Sequence, residues 1–483
     1  MTKRVKRFFY TGVVLFISIF ILAASFSHLV YIRDYVKSAF IHTFRLYSPP
    51  HSGVTIIKPG TQLKHQKTFT GMEQGYFHFA GMLFYNPPAN ISTAHLAERS
   101  IELTGFSKIR TLADSLNSVN KINRGIINSG ETILIPGALP FYTADIKGNR
   151  GGRIIKTKGL YFTGDTAGGA DFSSRLDAMK EAGLNTIVFD IKDITGIVHT
   201  RSRVDLVNKF NLNRRGAIDN LPKLLRECRE RGIYTIARVS LFSDHLLYDS
   251  APSLRIKSRR TGREWSSGSR EKWCDPTNRI VQDYNIALAA EAAAAGVDEI
   301  QFDYVRFPTT GDKEDADFVF DFGKMERTEV IAHFLKRAGE ALTPYNVFIS
   351  IDIFGVVAWG KDVDIRKTGQ SVEMLAKHSH VISPMLYPSH FNDNFDGFAR
   401  PGDNPYHFIL SGCKRVRDLA GGETLVRPWL QAFPWRVSRY NADYIVKQIK
   451  ASDDSGANGY LFWNASNSYN EVFQAMKILN AGI

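Results

Sequence analysis

The chain has 483 residues, 44% hydrophobic and 23% charged, with a formal net charge of +13; this is the composition of a folded protein with room for one large domain and a smaller one. Its three cysteines, Cys228, Cys274 and Cys413, are too few and too far apart for a zinc site or a dense disulfide framework, although one bridge stays open. The basic charge does not read as a nucleic-acid partner, because outside the N-terminus Lys and Arg are scattered among acids with no RNA-binding signature or basic helix; a solvated surface, or one facing anionic envelope polymers or lipid, accounts for it.

The first element is apolar. Lys3, Arg4, Lys6 and Arg7 precede a run from Phe8 to Ile32 that holds no charge, and Arg33 closes it. About 25 residues at 1.5 Å each give roughly 37 Å of helix, enough to cross a hydrocarbon core of about 30 Å with some tilt. The basic cluster predicts that residues 1–33 are a cytoplasmic tip and transmembrane anchor, leaving the rest extracytoplasmic, periplasmic or on the cell surface. A cleavable signal ending near Ala23 and Ala24 is the competing reading, with the same consequence for the body of the chain.

Residues 34–75 read as a polar, proline-containing tether. Residues 76–140 form a small α+β module in which "TLADSLNSVNKINRGIINSGETILIPG" pairs a helical stripe (Leu112, Leu116, Val119) with a short strand. That stretch resembles the second half of a LysM module: a Thr-Leu opens a helix, an Asn follows, and a strand closes on Ile-Pro. The resemblance implies binding to N-acetylglucosamine polymers such as peptidoglycan; a generic α+β spacer is the alternative. A glycine-rich basic linker, 141–157, follows.

From residue 158 to 482 short apolar runs alternate with helical ones. Strands are expected at 158–164, 186–193, 234–240, 299–307, 347–355, 380–388, 426–433 and 459–466. Helices are expected at "SRLDAMKEAGLN", with Leu176, Met179 and Leu184 on one stripe, and at "NLPKLLRECRERG", "NRIVQDYNIALAAEAAAAG", "TEVIAHFLKRAGEAL" and "ADYIVKQIKASDDSG". This α/β alternation predicts a (β/α)8 TIM barrel behind the transmembrane helix and the small α+β module. An open doubly wound sheet is disfavoured, since "FTGDTAGGADF" lacks the phosphate-turn register of glycines.

Barrel enzymes carry their chemistry at the C-terminal strand ends, and polar residues gather there: Asp190, Lys192 and Asp193; Arg238; Asp303, Tyr304 and Arg306; Asp352; Tyr387 and His390; Gln431 and Trp435; Trp463 and Asn464. Asp303 and Asp352 lie at similar depth on consecutive strands, which puts two carboxylates roughly 5–6 Å apart, near the separation used by retaining glycosidases. Repulsion favours one protonated as general acid and one ionised as nucleophile or stabiliser. The competing reading makes Asp303 a structural partner of Arg238 or Arg306, with Asp190 the next candidate acid and Asp193 a turn former. His378 and His380 enter their strand at the wrong end and lack a third ligand, so no metal or other cofactor is expected. Lys192 is a candidate Schiff base, but no phosphate loop follows strands seven or eight. Trp359, Trp435 and Trp463, with Tyr304, Tyr387 and Phe307, suit the apolar faces of sugar rings, and Trp265 and Trp273 mark a connection expected to lid the cleft.

"GLYFTG", "NTIVFDIKD", "KWCDPTNRIVQDYN", "DEIQFDYVRFP", "ISIDIFG" and "ISPMLYPSHF" together resemble a glycoside hydrolase family of (β/α)8 barrels found in bacterial envelope proteins, distantly akin to the alpha-amylase superfamily. The resemblance implies that Asp303 is the strand-four nucleophile. The chain departs from the amylase pattern in having Gln301 where an Arg stands two residues before that Asp, Asp352 in place of a Glu after strand five, and no second Asp near strand seven. The expected protein is thus an envelope-anchored glycoside hydrolase acting on a polysaccharide or peptidoglycan-like glycan. Asp303, Asp352 and Asp190 are its candidate catalytic acids, with Arg238, Tyr304, Arg306, Tyr387, His390, Gln431 and Asn464 orienting sugar and the tryptophans stacking on it. A non-catalytic glycan-binding barrel is the rival.

Overall fold

Three hydrophobic clusters, one in a smaller unit and two in the larger, organise the computed structural model, which describes residues 75–79, 82–138, 155–319 and 325–482. The expected anchor (1–33), all but the last residue of the tether (34–75) and most of the linker lie outside the described residues. Among those described, no helix is long and apolar enough to cross a membrane.

The smaller unit contains β1 (Tyr76–Phe79), β2 (Met82–Tyr85), β3 (Ile91–Ser92), β4 (Ile126–Ile127) and β5 (Ile133–Leu134). β2 pairs antiparallel with β1 and β5, and β3 with β4. Helices Thr93–Ser100 and Ile109–Asn120 lie between β3 and β4. Ser92 caps the first by accepting from the His95 N–H at 3.1 Å. Leu96, Leu112 and Leu116 are fully buried with Ile127 and Ile135, so the helical stripe read from Leu112 and Leu116 faces a core, whereas Val119 is exposed.

The larger unit is built on β6 (Thr157–Phe162), β7 (Thr186–Lys192), β8 (Tyr234–Ser240), β9 (Lys257–Ser258), β10 (Glu299–Asp303), β11 (Ala316–Asp317), β12 (Phe348–Phe354), β13 (Val381–Met385), β14 (Leu425–Val426), β15 (Trp429–Gln431) and β16 (Gly459–Trp463). Setting aside the outlying pair β9–β11, the strands run parallel in one ring, β6-β7-β8-β10-β12-β13-(β14, β15)-β16, and β16 pairs back onto β6. Closure demands close approach. Gly459 pairs with Thr157, and a Cβ there would fall 1.8 Å from the Thr157 carbonyl oxygen, so only glycine fits. The outer helices bury their apolar faces against the strands, as with Leu221, Leu224, Leu225 and Cys228 of Leu221–Glu230, and all three cysteines are buried free thiols.

The barrel strands fall where periodicity puts them, with two informative differences. The fourth stops at Asp303 instead of running to 307, because Tyr304 takes a left-handed φ of 51°. The seventh is broken into β14 and β15 around Arg427 and Pro428, a ring nitrogen that cannot donate to a ladder. Helices Pro405–Ala420 and Asn470–Asn480 were not anticipated, although Pro405 at the start and Gly421 past the end of the first mark its limits.

At the N-terminal end of the barrel interior, Glu299 and Arg427 form a bidentate pair, 2.8 and 3.0 Å, with both side chains fully buried, and Tyr234 donates to Glu299 at 3.0 Å. Removing one charge of such a pair strands the other in a low-dielectric interior. Glu299→Gln is therefore expected to lower unfolding free energy by about 3–5 kcal/mol, read as a drop in urea midpoint with an unchanged slope.

Candidate active site

At the opposite end, β8 carries Arg238, which sits beside Asp190 on β7 and Gln301 on β10 in the parallel register. Its guanidinium faces three carboxylates. Nη1 donates to Asp190 Oδ1 and Nη2 to Asp303 Oδ2, each at 2.5 Å, and Nε lies 3.9 Å from Asp352 Oδ2. All four residues are buried. One cation among three acids leaves the cluster short of positive charge, and the low dielectric favours protonation of the acid that it holds least closely.

Asp352 is that acid. Burial, and then the charge of Asp303, pushes its carboxyl well above the usual carboxylate range, against the pull of Arg238 and of the Trp429 Nε1–H that donates to Oδ1 at 2.7 Å. Burial also raises Asp190, opposed by Arg238 and by the Tyr161 hydroxyl that donates at 2.6 Å. Asp303 accepts on both oxygens, from Arg238 and from the Tyr304 N–H at 2.6 Å. Tyr304 itself has a positive φ, an outlying conformation for a bulky residue and one that clusters at functional sites. The β10–β12 register, Phe302 beside Ile351, sets Asp303 level with Asp352 on the neighbouring strand.

Above these acids opens a cavity of about 470 Å³ lined by Arg238, Asp303 and Asp352 and walled by aromatics. Trp463, Tyr387 and His390 follow one another with ring centroids 5.8 and 5.2 Å apart, and exposed Trp435 stands 5.1 Å beyond His390. Tyr304 lines the opposite side with Phe354 and Arg306. Burial pushes the Tyr304 hydroxyl up to about 12, which keeps it a neutral hydrogen-bonding group at physiological pH.

The expected residues therefore divide. Asp303, Asp352, Arg238, Tyr304, Arg306, Tyr387, His390 and Trp463 converge on the cavity. Asp190 does not line it; Asp190 sits behind Arg238 and holds that side chain in place. Gln431 is fully buried and ties loops together, accepting from the Ser389 N–H and donating to the Phe433 and Trp435 carbonyls. Asn464 donates to the Ala432 carbonyl and accepts from Ser466. Trp359 packs among Phe391, Phe395 and Phe408, and Trp435 stays outside the lining residues. Lys192, the Schiff-base candidate, is fully buried and ion-paired to Asp244 at 2.7 Å. Asp193 shapes the turn, accepting from the Thr195 and Ile197 N–H groups and bonding His199.

Seven of the lining residues lie outside the sequence reading, Trp429, Phe354 and Glu271 among them. Trp429 donates to Asp352 from β15, and Phe354 ends β12. Glu271 belongs to the long connection after β8, where Trp273 is buried and donates to it at 3.2 Å. The connection marked by Trp265 and Trp273 does reach the cavity, and Glu271 is the residue it contributes. Among the described residues no group of His, Cys, Asp and Glu could hold a metal.

A buried carboxylate pair held by a guanidinium, opening onto an aromatic-walled hollow at the C-terminal mouth of a parallel barrel, is the equipment of a (β/α)8 hydrolase acting on glycosidic bonds. Residues 159–469 match the family model described as "Putative glycosyl hydrolase domain", and the chain belongs to that family. No curated protein matches the chain. Among solved structures, a hypothetical protein from Ruminiclostridium thermocellum ATCC 27405 is 33% identical, covering 40% of this chain and 96% of its own, at a TM-score of 0.36. The PgaB (BpsB) glycoside hydrolase domain from Bordetella bronchiseptica is 14% identical over 67% of this chain and 99% of its own, at 0.47. The Bacillus megaterium QM B1551 spore cortex-lytic enzyme SleL is 11% identical over 82% and 85%, at 0.39.

The raised Asp352 carboxyl gives a stability prediction whose sign follows from linkage. A carboxyl with a raised folded-state pKa favours the fold below its unfolded value, and that contribution is lost as pH rises through the folded value. Asp352→Asn removes the ionisation and keeps an acceptor for Trp429. It is expected to raise stability by about 0.5–2 kcal/mol at pH 8 and by much less at pH 4, read from thermal melts of both proteins across that range.

Proposed function

We propose that the barrel cleaves an extracytoplasmic polysaccharide or peptidoglycan-like glycan with Asp303 as nucleophile or oxocarbenium stabiliser and Asp352 as general acid. The observation that carries this reading is the asymmetry of the pair: Asp303 has hydrogen-bond donors on both oxygens, one from the Arg238 guanidinium, while burial and its neighbour favour the neutral form of Asp352. A neutral acid beside a charged partner is the division of labour that glycosidic cleavage requires. The acid protonates the leaving oxygen while the carboxylate meets the positive charge growing at the anomeric carbon. The Trp463–Tyr387–His390 wall offers faces for the sugar's C–H groups. Asp303 and Asp352 stand level on adjacent strands about 4.8 Å apart, a placement that suits the short carboxyl separation of retaining enzymes better than the wider gap of inverting ones, so the anomeric configuration is expected to be retained.

The N-terminal run is proposed as the anchor that holds the barrel outside the cytoplasm, and the small module as an aid to glycan adhesion. A non-catalytic glycan-binding barrel is the second reading, favoured by the same Arg238 contact that occupies an Asp303 oxygen. Asp303→Asn separates the two. Turnover of a glycan panel is expected to fall at least about 10³-fold with binding retained, and NMR of the first product should show the anomer of the substrate. If wild type and variant bind alike and neither releases reducing ends, the binding reading replaces the catalytic one.

A further inference from the structure

Arg306 is the unexplained charge in the cavity. It is 4% exposed, lines the hollow and, among the described residues, makes one hydrogen bond, from Nη1 to the Phe307 carbonyl at 3.1 Å. Its guanidinium lies over three rings, Phe354 at 4.2 Å, Trp273 at 4.7 Å and Tyr304 at 5.1 Å from their centroids. Among the described residues it forms no salt bridge, although Glu271 and Asp303 act on it through space. Arg238, lining the same cavity, is surrounded by carboxylates.

An arginine stays charged in proteins, and a buried charge without an ionic partner is costly. Stacking on aromatic faces offsets part of that cost, but it leaves most of the guanidinium's N–H donors unused. The rings hold the planar fork in one orientation at the wall of the cavity. A rigid fork of this kind at the cavity wall suits a planar oxyanion, which it can bind through two parallel N–H bonds. Neutral sugar hydroxyls need no such group, since Tyr387, Tyr304 and the acids already supply donors and acceptors.

We infer that the glycan recognised here is acidic, with a sugar carboxylate in or next to the cleaved unit, and that Arg306 binds that carboxylate. This deepens the glycosidase reading and rests on it. Arg306 is a specificity determinant in this scheme, and Asp303 and Asp352 do the chemistry.

The test uses the full chain carrying Asp303→Asn, so that bound glycan survives, and short oligosaccharides of galacturonate, glucuronate-containing hyaluronan and muramic-acid peptidoglycan. Each is paired with its own carboxyl-reduced form. Binding is measured by calorimetry in about 0.3 M salt, where the basic surface is screened. At least one acidic member is expected to bind about tenfold or more tighter than its reduced form. Adding Arg306→Gln should remove that preference, so that each acid and its reduced form bind alike. Arg306→Lys, which keeps charge without the fork, should restore only part of it.

The inference is overturned if the reduced forms bind as well as the acids, or if Arg306→Gln keeps the preference. The comparison of acid with reduced form needs no change at Arg306, so it stands even if Arg306→Gln does not fold. Turnover of neutral glycans by wild type, with no acid preference, would leave the glycosidase reading intact and remove this one. Failure of every glycan, acidic and reduced, to be bound or cleaved would remove both.

Discussion

One guanidinium faces three carboxylates at the mouth of this barrel, and the rest of the site depends on that imbalance. Arg238 is bonded to Asp190 and Asp303 and stands farther from Asp352. Asp190, reinforced by Tyr161, orients the arginine from behind; Asp303 takes its other arm; Asp352 is left with a tryptophan N–H and a neighbouring negative charge. Burial makes these differences count, because in a low-dielectric interior a small change in distance to a cation decides which acid carries a proton. The cluster thus holds one residue type in three settings: Asp190 behind the guanidinium, Asp303 on its other arm, and Asp352 farther off with its carboxyl pushed up by burial.

The barrel makes such a cluster tolerable. Its opposite end holds a second ionic group, Glu299 with Arg427 and Tyr234, in which one acid meets one guanidinium through two hydrogen bonds. The C-terminal end lacks that balance. It is held instead by geometry: eight parallel strands in closed register, a positive φ at Tyr304, and a connection after β8 that buries Trp265 and Trp273. Strain and unbalanced charge concentrate where the cavity opens.

The structure also accounts for a departure from the amylase pattern. Gln301 occupies the position where the resemblance leads one to expect an arginine, but the parallel register sets Gln301 beside Arg238. The guanidinium reaches Asp303 from the neighbouring strand. Nothing in a single sequence shows that the two positions are side by side.

Much of the molecule was legible from residue order alone. Runs such as "TIVFDIKD" and "DEIQFDYVRF", separated by amphipathic stretches ending in Gly183, Gly232 and Gly296, fix an alternating α/β barrel because local apolar periodicity and glycine stops act over a few residues. The same logic located the strand ends and so Asp303, Asp352 and Arg238. It could not separate Asp190 from the cavity acids, show that Gln431 and Asn464 serve neighbouring loops, place Trp359 in a core of phenylalanines, or bring Glu271 to the cavity from a distant connection. Those outcomes turn on which side of a strand end each side chain leaves and what meets it from elsewhere in the chain. Hydrogen bonding and charge compensation between remote residues set them, and they exist only once the barrel has closed.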